Sequence, residues 1–165
     1  MRLFRSSEIL GIATDTLDFV LEACANTHPN EFMGLLRATD ASKLDLGRKG
    51  SVITEVLVIP GTKSGHSMAT LREDMVPVGS GSVGTVHSHP SGSTRPSGED
   101  LSTFGRKGKR HIIVGHPYTE GSWTCYNGDG DVVELDVLDV ALDDMPLEWL
   151  GEDDSHDTEP GDDRE

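Results

Sequence analysis

The stretch Val86-His87-Ser88-His89-Pro90, with Ser97 and Asp100 a fixed distance beyond it, leaves this chain few choices of local fold. His87 and His89 close an apolar run, Ser82-Val83-Gly84-Thr85-Val86, that reads as a strand. Side chains at i and i+2 of a strand leave by the same face, so both imidazoles can meet one metal ion. Pro90 holds His89 extended and, lacking an N–H, ends the ladder. A Gly/Ser/Pro-rich loop turns the chain back, and a helix begins at Ser97. Asp100, three residues into that helix, can then face the histidine pair. Two neutral imidazoles, one carboxylate and an open fourth position form the ligand set of a catalytic zinc site.

Each of these residues also has a plainer reading. Ser97-Gly98-Glu99-Asp100 is how many helices start, a Ser cap followed by acids in the first turn. His87 alone is more often a satisfied polar group than a ligand. Capping accounts for the serine and the aspartate, however, and leaves the paired histidines without a role. The conjunction favours the metal.

The rest of the chain supplies a sheet with few helices. Leu10, Ala13, Leu17, Val20, Leu21 and Cys24 fall at helical spacing behind Ser6-Ser7-Glu8, which predicts a helix from about Ser7 to Ala25. Glu31 to Arg37 reads as a strand, Asp40 to Gly50 as a polar turn, and Ser51 to Ile59 as a β-branched strand stopped by Pro60-Gly61. Thr62 to Ser80 is a long polar stretch, and loops of that length are usually functional or mobile. The Ser97 helix runs to about Gly105 and is followed by a buried-type strand, Arg110 to Gly115. Trp123 to Asn127 and Asp131 to Val137 flank Gly128-Asp129-Gly130, a hairpin signal. The order predicts an α+β domain with no repeats.

Charge and cysteine content narrow the function classes. Of the net charge of −15, eleven acids and one Arg from Asp143 onward put −10 on the tail and −5 on the body. The expected division is therefore a folded domain over 1–142 and an acidic, disordered tail over 143–165. Nucleic acid is a poor partner for such a chain. No apolar run is long enough for a bilayer and Met1-Arg2-Leu3-Phe4-Arg5 lacks a signal-peptide core, so a cytoplasmic protein without membrane contact is expected. A body with more acids than its few lysines suits a high-salt cytoplasm. Cys24 and Cys125 are far apart and outside any CxxC, so they read as small buried hydrophobes. Arg106-Lys107-Gly108-Lys109-Arg110 reads first as a solvated helix end and second as a docking patch for an acidic protein. His28, His66, His111, His116 and His156 receive no role, and Trp123 and Tyr126 read as hairpin core.

His87-Ser88-His89, seven residues, Ser97, two residues and Asp100 together resemble the JAMM motif of the MPN+ metalloproteases. Pro29-Asn30-Glu31-Phe32-Met33-Gly34-Leu35-Leu36 is similar to the family's upstream part, which places a glutamate on the opening strand. The resemblance covers about residues 6 to 140. It implies one MPN/JAMM domain of cytidine-deaminase-like fold, a mixed sheet flanked by two main helices. It implies that His87, His89 and Asp100 bind Zn²⁺, that Glu31 is the general base and then acid, and that Ser97 donates to the oxyanion. Capping the helix would compete with that last role. Intact motif positions separate the chain from the MPN− branch, whose members lack ligands.

The small single-domain form most similar to this chain is the archaeal one, the desampylases. The resemblance thus implies an isopeptidase that removes ubiquitin-like modifiers from target lysines after a C-terminal Gly-Gly. Its partners would be those modifiers and their lysine conjugates, with 62–80 as one wall of the groove. The alternatives are C-terminal processing of a sulfur-carrier protein and a non-catalytic MPN scaffold.

Overall fold

A computed structural model describes residues 8–59, 81–106 and 108–142. The 62–80 stretch and the 143–165 tail lie outside the described residues, as does Lys107. Among the described residues seven strands form one mixed sheet in the order β6-β5-β4-β2-β3-β1-β7. They are β1 (Ile9–Ala13), β2 (Met33–Asp40), β3 (Ser51–Val58), β4 (Ser82–His89), β5 (Arg110–Gly115), β6 (Trp123–Tyr126) and β7 (Asp136–Leu138). Helix α1 is Thr14–Thr27 and α2 is Gly98–Phe104. The expected α+β architecture with two main helices holds. No helix among the described residues is long and apolar enough to cross a membrane.

Two expectations are corrected. The predicted Ser7 helix begins with a strand: Ile9–Ala13 pairs in parallel with β3 on one side and β7 on the other, and α1 starts only at Thr14. Leu10 to Ala13 are all buried, so the strand lacks the alternation that betrays a one-sided strand, and its apolar residues pass for a helical stripe. The overlooked signal was Gly11. A Cβ there would lie 2.3 Å from the Asp136 carbonyl oxygen, so a bare backbone is needed where β7 joins.

The second correction concerns the hairpin. Beyond β6 only Val132 bridges back to Tyr126, and the chain then leaves to pair with β1 at the opposite edge. In a flat sheet six strand spacings would separate those edges by about 29 Å. Val132 lies beside β6, and four residues later Asp136 is in β7, a reach of at most about 14 Å. The sheet must therefore curl strongly. Leu17, Val20, Leu21 and Cys24 of α1 fill the concave side with Ile12, Leu36, Ile53, Val86, Ile112, Cys125 and Leu135. A smaller cluster of Leu10, Ala13, Ala41, Val52 and Val140 closes the β1 end.

Candidate metal centre

The centre of the sheet places the ligands. β4 runs antiparallel to β2 with His87 opposite Met33, and parallel to β5 with His89 opposite Gly115. The Ser/Gly/Pro loop after His89 is pinned to β6: the Tyr126 hydroxyl donates to the Thr94 carbonyl at 2.6 Å, and the Thr94 and Thr124 hydroxyls are 2.9 Å apart. Gly115 lets this loop close, because a Cβ there would meet the Gly92 carbonyl at 2.4 Å. The loop delivers α2 with Asp100 facing the histidines.

His87 Nε2 and His89 Nε2 stand 3.0 Å apart, and Asp100 reaches them with Oδ1 at 3.2 Å and Oδ2 at 3.3 Å respectively. Each separation is near the distance, about 3.3 Å, between two ligands of a tetrahedral ion with 2.0 Å bonds, the carboxylate reaching each imidazole with a different oxygen. All three groups offer lone pairs to the same point, which is repulsive unless a cation sits there. His89 Nδ1 donates to the Ser93 carbonyl at 2.8 Å, which fixes the tautomer and leaves Nε2 as a lone-pair donor. His87 is buried, and its Nδ1 has no hydrogen-bond partner among the described residues. The donor set fits a tetrahedral divalent metal, with His87 held by packing and His89 by its carbonyl.

The electrostatics agree with this convergence. Burial opposes charge on Asp100, but the two imidazoles facing it outweigh that and hold the carboxyl well below the usual range. The Asp100 hydrogen bond raises the His89 proton affinity, against burial. Glu31 precedes β2 and is half-buried. Burial pushes its carboxyl up, the His87 and His89 imidazoles oppose that, and the Asp100 charge adds to it. Glu31 thus shares the field of all three ligands. Burial pushes the Cys24 thiol up to about 12 and Cys125 to about 11, so neither is a thiolate nucleophile near neutral pH.

Ser97 caps α2 as the sequence suggests. Its Oγ accepts from the Asp100 N–H at 3.1 Å while Asp100 Oδ2 accepts from the Ser97 N–H at 2.8 Å, a complete capping box. The competition expected between capping and donation is relieved. The cap uses an oxygen lone pair, and the hydroxyl proton of this exposed residue is left to donate elsewhere. One carboxylate therefore serves both readings of Asp100, as cap partner and as ligand.

Other residues fall away from the centre. Arg110 pairs with Gly84, five residues back along β4 from His89, so Arg110 lies about 16 Å from His89, at the other end of the strand. His111 is a structural histidine, stacked on Phe104 with Nδ1 2.8 Å from the Thr85 hydroxyl and Nε2 3.0 Å from the Gly108 carbonyl. Trp123 and Tyr126 pack in or against the core. Sequence reasoning gave no role to Ser88, Ser93 or the Tyr126 hydroxyl. Only Ser88, inside the motif, carried a local hint.

Comparison with known proteins gives these features a family. Residues 14–126 match the family of prokaryotic homologues of the JAB domain. The chain is 54% identical over 144 residues to a protein of Haloferax volcanii named probable metalloprotease, covering 87% of this chain and 89% of that one. It also resembles the crystal structure of a JAB1/MPN domain protein from Archaeoglobus fulgidus, with TM-score 0.59 and 41% identity over 78% of this chain and 99% of the other. A structure described as JAMM, a metalloprotease-like zinc site in the proteasome and signalosome, matches with TM-score 0.56 and 40% identity, covering 79% and 99% of the two chains.

Proposed function

This chain belongs to the family of prokaryotic JAB-domain homologues, the JAMM metalloproteases, and from that membership we propose a zinc-dependent isopeptidase that removes ubiquitin-like modifier proteins from target lysines after a C-terminal Gly-Gly. The observation that carries the proposal is the convergence of His87, His89 and Asp100, whose donor atoms lie within 4.8 Å of one another, with a half-buried Glu31 in their electrostatic field. Bound there, zinc would supply Lewis acidity and lower the pKa of a coordinated water to about 7.

The chain's own residues supply the rest. Glu31, its proton affinity raised by burial, accepts a proton from the attacking water and delivers it to the departing lysine amine. Ser97 donates its unspent hydroxyl proton to the oxyanion of the tetrahedral intermediate. His87 and Asp100 are buried, whereas His89, Glu31 and Ser97 are at least partly open, so the substrate carbonyl approaches from their side. The substrate class is supported by the family resemblance and by a steric argument: two glycines let a backbone lie close to sheet and metal where side chains would collide.

The test is cleavage of a lysine conjugate of a Gly-Gly-ended ubiquitin-like protein in high salt. Cleavage after the second glycine is expected to vanish with a zinc chelator and return with Zn²⁺. Glu31→Gln is expected to lower the rate by about 10²–10⁴-fold with zinc content unchanged. If the zinc-loaded protein trims only a linear carrier-protein terminus, the sulfur-carrier alternative replaces this function. A zinc-loaded protein that cuts neither would be a scaffold.

A further inference from the structure

The two metal-binding histidines flank a residue whose side chain leaves by the opposite face of β4. Ser88 is fully buried, and its Oγ accepts from the Phe32 N–H at 2.8 Å. Its own N–H donates to the Phe32 carbonyl at 3.0 Å, one step beyond the Met33–His87 pair. Both backbone groups of Phe32 are thus held by one residue.

Phe32 is the residue after Glu31 and lies just before the first residue of β2. Its N belongs to the peptide unit that joins it to Glu31. Where that peptide is fixed, the Glu31 Cα is fixed, one bond length away. On the other side of Glu31, His28 Nδ1 meets the Tyr118 hydroxyl, so the segment 28–32 is tethered at both ends. The tether at Phe32 is the tighter, with two bonds inside the core.

We propose that Ser88 is a positioning residue for Glu31: by holding the Phe32 backbone it fixes the base relative to the ligands on either side of Ser88 itself. This rests on the function proposed above. The middle of His-x-His is then no spacer. One strand residue locks the base to the strand that carries the ligands, so the distance between metal and base is set within the core. Misplacing a catalytic group by about 1 Å can cost about 10²-fold in rate.

The test compares Ser88→Ala and Ser88→Thr with wild type. The Ala variant is expected to bind zinc with wild-type affinity, to lose about 10- to 100-fold in kcat with little change in KM, and to exchange the Phe32 amide faster. The Thr variant, which keeps an Oγ, is expected to restore both. A readout free of substrate uses Co²⁺-loaded protein labelled with ¹³C-glutamate. The paramagnetic shift of the Glu31 carboxyl should be single and large in wild type, and reduced or broadened in Ser88→Ala. If wild type cleaves nothing, the isopeptidase function fails while the cobalt experiment still decides the role of Ser88. An unchanged Glu31 shift in Ser88→Ala overturns the proposal, as does a kcat loss that parallels zinc loss. Should the Ala variant not fold, Ser88→Cys preserves volume with a poorer acceptor, and a wild-type Glu31 shift there has the same meaning.

Discussion

At the scale of single residues, two histidines with the same chemistry do opposite work because of their surroundings. His89 shares Asp100 with His87, and its Nε2 faces a point where a cation belongs. His111 is enclosed between Thr85, Phe104 and the Gly108 carbonyl, and burial lowers its proton affinity. Its Nε2 donates to Gly108, so Nδ1 accepts from Thr85, and only the neutral ring satisfies both. NMR should find this neutral ring retained to lower pH than a free imidazole, with a midpoint under the ordinary value of about 6.5. A midpoint at or above that value would contradict the enclosure. Because the folded pKa is depressed, the neutral ring stabilises the fold above about pH 6.5, and this contribution is lost as pH falls toward the folded pKa, at up to about 1.4 kcal/mol per pH unit. The sequence set His89 in the motif and gave His111 no role, but the enclosure of His111 was not legible, since Thr85 belongs to a different strand. The motif spacing did bring the two imidazoles together, because i and i+2 on a strand share a face whatever the rest of the fold does.

At the scale of elements, close strand contacts depend on missing side chains. A Cβ at Gly84 would lie 1.5 Å from the Arg110 carbonyl oxygen, where β4 and β5 run side by side. Gly84→Ala is expected to destabilise the protein by at least about 3 kcal/mol, the upper end of ordinary overpacking costs, because backbone rather than a movable side chain must yield. Denaturant titration measures it, and a loss below 1 kcal/mol, on the order of an ordinary surface change, would show that the strands separate easily. The same reasoning makes Gly11 the residue that admits β7. These glycines were visible in the sequence, yet nothing local says which strand approaches them. That is also why Ile9–Ala13 passed for helix: buried on both faces, it has no period to read. The α2 cap, by contrast, was legible, since Ser97 and Asp100 satisfy one another within a single turn.

At the scale of the whole molecule, the sheet and the apolar clusters of the described residues reach no further than Val140, with Leu142 packed against the β1-end cluster. A chain ending at Leu142 is expected to melt within a few degrees of full length and to keep its zinc affinity and peptidase rate. A drop of 10 °C or more, about 3 kcal/mol or above for a domain of this size, would show that the acidic segment contributes to the fold. Zinc should contribute at this scale too, since its ligands come from β4 and α2 and the site exists only when both are docked. At free zinc a thousandfold above Kd, the metal adds about 4 kcal/mol to stability. Chelation should therefore lower Tm by about 10 °C or more, and a Tm insensitive to chelator would mean the site is not loaded.

The sequence by itself determined the ligand strand, the turn after it, the capped helix that brings Asp100 back, and the family. Each depends on neighbours within about fifteen residues, where strand period, proline and capping chemistry act directly. Only the tertiary structure decided that the chain opens with a buried strand, that its last strand crosses to the far edge, and that Ser88 grips the residue beside Glu31. Those features join segments distant in sequence through backbone hydrogen bonds, which carry no side-chain signature. They exist only once the curled sheet has brought the segments together.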